Sequence, residues 1–281
     1  MSVEVLRYAA FTDGGRGGNP AGVVLDAEGM TDEQMLGIAA EVGFSETAFV
    51  VGAAPAGWRV RYFSPRAEVA FCGHATIATA VALADRDGPG EETMVTEAGP
   101  VVVSSRGTPD GTTATLVSVP PRTAPADPDV VDRALDALGW QPDELDPTYP
   151  VHVAFAGVSH LVLPAGSRER LAHLDYDYPA LERLMAEERW TTVHLFWRAD
   201  TTTYHVRNPF PPGGVVEDPA TGAAAAAFGG YLRALRLVEP PTALTLLQGE
   251  DMGAPSRLVV EVPKGTGGIS VTGHATRMTQ G

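Results

Sequence analysis

The apolar residues of this chain repeat in two rhythms. Met35, Ile38, Ala39 and Val42 fall on one face of a segment from Thr31 to Val42, the spacing of an amphipathic helix. A second such helix is predicted from Tyr178 to Glu188. Between and around them lie short apolar runs of strand length. Strands are predicted at Thr47 to Val51, Val101 to Ser104, Ala114 to Val119, Val151 to Ala154, Leu161 to Leu163, Val193 to Arg198, Leu258 to Val262 and Ile269 to Thr272. The opening stretch, Met1 to Thr12, reads as a further strand through Val3, Val5, Leu6 and Tyr8. Two alanine-rich stretches, Ala75 to Ala84 and Thr221 to Leu235, are predicted as helices, each following a Gly/Pro loop. Their small side chains let other backbones come close, as in a thin helix enclosed by a curved sheet; a small-residue packing face on an ordinary helix gives the same pattern.

The rhythm itself repeats. At an offset of 146 residues, Trp58-Arg59-Val60-Arg61-Tyr62-Phe63-Ser64-Pro65 meets Tyr204-His205-Val206-Arg207-Asn208-Pro209-Phe210-Pro211, with aromatic, Val, Arg and Pro in register. The same offset pairs Thr31 with Asp177, two N-cap residues, and Ala78 and Ala80 with Ala224 and Ala226, without a gap from 31 to 80. A period of half the chain predicts a duplicated fold. The Pro- and Asp-rich segment Thr123 to Pro150 reads as the connection between halves. The expected division is 1–120 and 121–265, with the final strand, within 266–281, returning to the first half.

Composition narrows the function. The 281 residues carry a formal net charge of -15, which repels phosphate backbones and anionic bilayers, so neither nucleic acid nor membrane is an expected partner. No stretch is long and apolar enough for a transmembrane helix, and the N-terminus lacks the basic start and apolar run of a signal peptide. With one cysteine, Cys72, no intrachain disulfide can form, as suits a reducing cytoplasm.

Under the 146-residue offset Cys72 falls opposite Asp218, each just ahead of a predicted helix start: Cys72-Gly73-His74-Ala75-Thr76 and Asp218-Pro219-Ala220-Thr221-Gly222. Helix starts offer unpaired N–H groups to a carboxylate, and two of them facing across a cleft between the halves suit a small acid. Each residue also has a plainer reading: Asp218 as a helix cap, His74 as a packed histidine, Cys72 as a small buried apolar side chain. Glu46, in Phe44-Ser45-Glu46-Thr47, precedes an apolar strand where a carboxylate is costly to bury. Its repeat partner is Thr192, so the acid belongs to one half only; an exposed loop glutamate is the alternative. The other histidines, His152, His160, His173, His194, His205 and His274, show no metal-ligand spacing and read as structural. The Gly14-Gly15-Arg16-Gly17-Gly18 run lacks the Lys-Ser/Thr of a phosphate-binding loop.

Five motifs in order resemble the phenazine-biosynthesis PhzF-like family. They are Phe11-Thr12-Asp13 with Gly18-Asn19-Pro20-Ala21-Gly22-Val23-Val24, Ser45-Glu46-Thr47, Gly73-His74-Ala75-Thr76, Glu217-Asp218-Pro219-Ala220-Thr221-Gly222, and Gln248-Gly249 with Met252-Gly253 and Pro255-Ser256-Arg257. The resemblance implies an α+β, diaminopimelate-epimerase-like fold: two pseudo-symmetric halves, each a curved sheet or barrel around a central helix, with the site between them. It further implies a homodimer, no cofactor and no metal. Glu46 is then the acid/base residue, and His74 and Asp218 position the substrate and assist proton movement. The N–H groups around Gly73, His74, Thr221 and Gly222 hold a substrate carboxylate, with Asn19, Cys72, Ala75 and Ala223 also lining the site. The implied activity is a cofactor-independent isomerisation that shifts a proton and double bond in a small amino or cyclic carboxylic acid of secondary metabolism.

Two departures bear on the substrate. The phenazine enzyme has Ser where this chain has Ala223, and Arg207-Asn208-Pro209-Phe210 departs from the family's Arg-x-Phe-x-Pro. Two other readings stay open. Cys72 and Asp218 as bases on opposite faces of one carbon would make an epimerase or racemase. A non-catalytic carboxylate-binding protein would need none of this chemistry.

Overall fold

The computed structural model describes residues 3–279; the predicted first strand therefore extends outside the described residues at Met1 and Ser2, as the expected first half does at Gln280 and Gly281. The chain forms two compact units, one running through Val117 and resuming at Thr272, the other Ser118–Val271.

The first unit comprises β1 (Leu6–Thr12), β2 (Asn19–Val24), α1 (Asp32–Val42), β3 (Glu46–Ala54), β4 (Gly57–Phe63), β5 (Glu68–Val69), α2 (Gly73–Asp87), β6 (Glu91–Thr96), β7 (Gly99–Thr108) and β8 (Gly111–Val117). The second holds β9 (Arg122–Pro125), α3 (Pro128–Leu138), β10 (His152–Phe155), β11 (Ser159–Pro164), α4 (Arg168–Ala172), α5 (Tyr178–Glu188), β12 (Trp190–Arg198), β13 (Thr203–Pro209), β14 (Glu217–Asp218), α6 (Gly222–Ala234), β15 (Thr242–Gln248) and β16 (Ser256–Val262). The last strand, β17 (Ser270–Arg277), pairs antiparallel with β1, Tyr8 opposite Arg277.

Each unit follows the same plan. In the first, β2 runs parallel to β3, β3 antiparallel to β4, β4 antiparallel to the short β5 and parallel to β6, and β6 antiparallel to β7. In the second, β11, β12, β13, β14, β15 and β16 repeat this sequence of pairings. α1 and α5 serve as the crossovers that parallel neighbours require. Both begin at the predicted caps: Thr31 in a capping box with Gln34, and Asp177 accepting from the Ala180 N–H. Within the first unit the circuit closes, because β7 pairs with β8, β8 with β17 and β17 with β1.

The alanine-rich helices lie inside. Every residue of α2 from His74 to Ala84 is buried, and in α6 so is every residue from Ala224 to Leu232. A helix buried all round cannot be amphipathic; α2 packs on β1, β2, β3, β7 and β8, and α6 on β9, β10, β11, β12 and β16. Small residues are what the space allows. A Cβ at Gly230 would sit 2.3 Å from the Pro121 Cβ, and one at Gly229 2.9 Å from a Val260 methyl.

The structure corrects two sequence readings. Thr123 to Pro150 is not a linker. Asp127 caps α3 with Pro128 at its first turn and Gly139 in the left-handed conformation ends it. Ala134, Leu135, Leu138 and Trp140 then pack with Leu181, Leu184 and Met185 of α5 against β11 and β12. Second, the 146-residue offset holds only through β4 and β13. The connection that follows is longer in the second unit, where Pro211–Gly213 form a turn of 3-10 helix. Beyond it the counterparts are 149 residues apart, Gly73 with Gly222 and Glu68 with Glu217. Cys72 therefore corresponds to Thr221, and Asp218 to Val69, since Tyr62 pairs with Val69 as Asn208 pairs with Asp218.

Candidate active site

In the first unit the strand β3 and the start of α2 bring three candidates together. Glu46 opens β3, where it pairs with Ala21 of β2. Cys72 is the N-cap of α2 and His74 lies in its first turn. The Cys72 thiol donates to Glu46 Oε2 at 3.5 Å, His74 Nε2 lies 3.4 Å from the same oxygen, and Cys72 Sγ is 3.3 Å from His74 Nδ1. His74 and Cys72 are 6% and 8% exposed, while the Glu46 side chain keeps 16% of its surface open. Ser45, absent from the residues selected by sequence, places its hydroxyl 3.4 Å from His74 Nε2.

The helix start is pinned from behind. Thr76 donates its hydroxyl proton to the Cys72 carbonyl at 2.7 Å, so the Tyr62 hydroxyl, also at 2.7 Å, donates to Thr76. Burial pushes the Tyr62 phenol well above its ordinary range, keeping it a donor. No side chain caps α2, so its first N–H groups point past Cys72 as helix starts do. A Cβ added at Gly73 would meet nothing within 4 Å, so the backbone there borders open space. Ala75, expected to line the site, is fully buried. Asn19, the first residue of β2, is 2% exposed and pairs with Ala10.

In the second unit the turn from Asp218 to Thr221 is held by Gln248, at the end of β15. Its Nε2 donates to the Asp218 carbonyl at 2.7 Å and to Thr221 Oγ1 at 3.0 Å; its Oε1 accepts the Thr221 N–H at 3.0 Å. The Thr221 hydroxyl in turn donates to Asp218 Oδ2 at 2.6 Å. The Thr221 N–H, expected to help hold a substrate carboxylate, is thus directed to Gln248, while Gly222 and Ala223 begin α6 beyond it. Gly249 makes the clamp possible. With φ at 74° it is left-handed, and a Cβ there would stand 2.2 Å from the Ala254 carbonyl oxygen and 2.9 Å from that of Pro219. The sequence signal for Gln248 was a polar residue closing an apolar strand just before glycine.

The strand bearing Asp218 is braced by Arg207. Its Nε donates to Glu217 Oε2 at 2.9 Å, its Nη2 to Oε1, and its Nη1 to the Ala172 carbonyl at 2.6 Å. Beneath it, on β11, β12 and β13, lies a buried polar relay. Asn208 Oδ1 accepts from the Thr192 hydroxyl at 3.0 Å and from His194 Nδ1 at 3.2 Å; His160 Nδ1 then donates to Thr192 at 2.8 Å. Burial holds the imidazoles of His160 and His194 down, to about 3 and about 4, with His194 adding to the effect on His160.

Among the described residues, Glu46, Cys72 and His74 are a group whose ligand atoms lie within 4.8 Å of one another and could hold a metal ion. No helix among them is long and apolar enough to cross a membrane.

A carboxylate against a histidine and a thiol is a set of groups able to exchange protons. The profile of the PhzC-PhzF family, phenazine biosynthesis-like proteins, matches residues 8–281. An uncharacterized isomerase of Bacillus subtilis, YfhB, is 30% identical over 95% of this chain and 93% of its own. The trans-2,3-dihydro-3-hydroxyanthranilate isomerase of Pseudomonas chlororaphis is 30% identical over 88% and 86%. Among solved structures, a PhzF-family phenazine biosynthesis protein of Bacillus anthracis superposes with a TM-score of 0.88 at 27% identity, covering 99% of this chain and 98% of that one. The α+β architecture is the diaminopimelate-epimerase-like fold.

Proposed function

This chain belongs to the phenazine biosynthesis-like PhzC-PhzF family, and from that premise we propose that it is an isomerase acting on a small amino or cyclic carboxylic acid. It moves one proton, and with it a double bond, without a cofactor, and it serves secondary metabolism as a cytoplasmic homodimer. The observation that carries this reading is the Glu46 carboxylate, which lies against the His74 imidazole and accepts from the Cys72 thiol. A carboxylate so placed can both take and return a proton.

Glu46 removes a proton from one substrate carbon, the electron pair of the broken C–H bond becomes part of the shifted double bond, and the same proton returns to a second carbon. Nothing is gained or lost, as an isomerisation requires. Donors at the start of α2 stabilise charge developing toward the substrate carboxylate, and His74 keeps the Glu46 oxygen oriented. Asp218 is assigned to substrate positioning. Ala223, where the phenazine enzyme has serine, favours an acid other than that enzyme's own.

The test is deuterium uptake from heavy water across a panel of small amino and cyclic acids, followed by NMR and mass spectrometry. Glu46-dependent label at a new carbon with a moved double bond is expected, and Glu46→Gln should lower the rate by roughly 10²–10⁴-fold, the scale of general acid–base catalysis. Label at the original carbon with inverted configuration, lost in Cys72→Ser but not in Glu46→Gln, would replace this reading with epimerisation. Tight binding without exchange for any acid would replace it with a binding protein.

A further inference from the structure

We propose that Arg168, the first residue of α4, is a positioning residue for Asp218, acting through the turn that follows Gln248. The proposal rests on the reading of Asp218 as the residue that positions the substrate. Gln248 is 1% exposed and holds the Asp218–Thr221 turn from the end of β15. Directly after it, Glu250–Met252 form one turn of 3-10 helix between Gly249 and Gly253, both left-handed. This turn bears on the Asp218 segment, because a Cβ at Gly249 would stand 2.9 Å from the Pro219 carbonyl oxygen. It has no core of its own, since none of its three residues is buried. Among the described residues, its acidic side chains have two anchors. Arg168 Nη2 donates to Asp251 Oδ1 at 2.9 Å and lies 3.8 Å from Glu250 Oε2, and His205 Nδ1, on β13, lies 2.6 Å from the same Glu250 oxygen.

Arg168 stands on a firm base. Ser167 caps α4 by accepting from the Arg170 N–H, and Leu171 is buried in the core with Leu161, Leu163 and Trp140. Arg168 Nη1 is enclosed and has no hydrogen-bond partner among the described residues, so the guanidinium is shielded on one side and directed to the turn on the other. Most surface ion pairs contribute little because both ends wander in water; here one end is fixed. The far end of α4 makes a second connection. Arg207, which grips Glu217 next to Asp218, donates from Nη1 to the Ala172 carbonyl at 2.6 Å. α4 thus joins the two segments that frame Asp218: β14 through Arg207, and the turn after Gln248 through Arg168. Loss of Arg168 frees that turn, and Gln248 then slackens its hold on the Thr221 N–H and the Asp218 carbonyl together. Glu46, in the first unit, is untouched, so proton transfer keeps its rate once substrate is bound.

The experiment follows backbone amide exchange by NMR in the full chain at two positions: Thr221, whose N–H Gln248 holds, and Phe228, in the buried middle of α6. Arg168→Met should speed Thr221 exchange about three- to tenfold, the scale of one lost charge-assisted bond in a local opening, and leave Phe228 unchanged. Asp251→Asn, at an exposed position, should act in the same direction, and the double variant should be no worse than Arg168→Met alone. Arg168→Lys should restore most of the protection. Arg133→Met, which cuts the surface pair with Glu187, should change neither amide. With an acid that the chain turns over, KM should rise about three- to tenfold in Arg168→Met while kcat stays within about twofold, and Arg168→Lys should recover most of the loss. Faster exchange at Thr221 and Phe228 together would reduce Arg168 to a structural role. Unchanged exchange at Thr221, or a fall in kcat at constant KM, would overturn the proposal as well. The exchange readout needs no substrate, so failure of this inference and failure of the isomerase reading are seen separately.

Discussion

Two arginines, 146 residues apart, make the same fork in the two units. Arg61 holds Glu68 through two bonds of 2.6 Å, and Arg207 holds Glu217 in the same bidentate way. In both units the fork ties the third strand of the plan, β4 or β13, to the short strand ahead of the buried helix. The surroundings differ. The Arg61 and Glu68 side chains are 26% and 30% exposed, those of Arg207 and Glu217 9% and 6%. The helix starts diverge in parallel. At α6 the polar groups bond one another through Gln248 and Thr221 and the turn is a rigid bracket. At α2 the scaffold bonds run behind the helix, and Glu46, Cys72 and His74 meet only at 3.3–3.8 Å. One topology thus supplies a bracket in one copy and a loosely coupled carboxylate, thiol and imidazole in the other.

The strongest way to break this comparison is to cut both forks. Arg207→Met leaves Glu217 buried and unpaired and should cost about 3–5 kcal/mol in denaturant unfolding. Arg61→Met, cutting an exposed copy, should cost about 0–1 kcal/mol. Equal losses would show that the two forks do equal work and that the difference in burial is irrelevant.

Acid should strike the second unit first. The unfolded chain binds protons at His160 and His194 near pH 6.5, whereas the folded chain resists until about 3 and about 4. The unfolded state therefore binds more protons in that window, so stability is full above about pH 6.5 and falls with pH. Between pH 7 and 5 the loss is about 2 kcal/mol per histidine. Replacing His160 by Gln should remove its share of the slope; an unchanged slope would place the acid sensitivity elsewhere.

Gln248→Ala strips the bracket and leaves the Thr221 N–H and the Asp218 carbonyl without that partner, at about 1–3 kcal/mol. If Gln248 positions Asp218, KM for the turned-over acid should rise more than kcat falls. Tyr62→Phe should cost about 1 kcal/mol in denaturant unfolding, because Thr76 still donates to Cys72.

Much of this was legible in the chain. Caps such as Thr31 and Asp177 are local chemistry, and the alternation and alanine patterns reflect burial on one side or on all sides. The linker reading of Thr123 to Pro150 went wrong because Pro and Asp were weighed as breakers, although Asp127-Pro128 is equally a helix entry and Val130, Val131, Ala134, Leu135 and Leu138 carry its spacing. The pairing of Cys72 with Asp218 failed because a single offset cannot register a lengthened turn. Glu46 and His74 could be singled out, but their meeting depends on β3 lying beside α2, a long-range fact. Gln248 and Ser45 stand in the quoted motifs without a role of their own, because their neighbours, not their types, make them matter.

The circuit around α2 also sets an order of events in time. β8 and β1 are joined only through β17, which follows the entire second unit in the chain. During synthesis the first unit therefore waits with two unpaired strand edges exposed while some 150 residues are made and folded. The second unit is a loop inserted into the first, and its growth delays the moment at which its host becomes safe from pairing with a stranger.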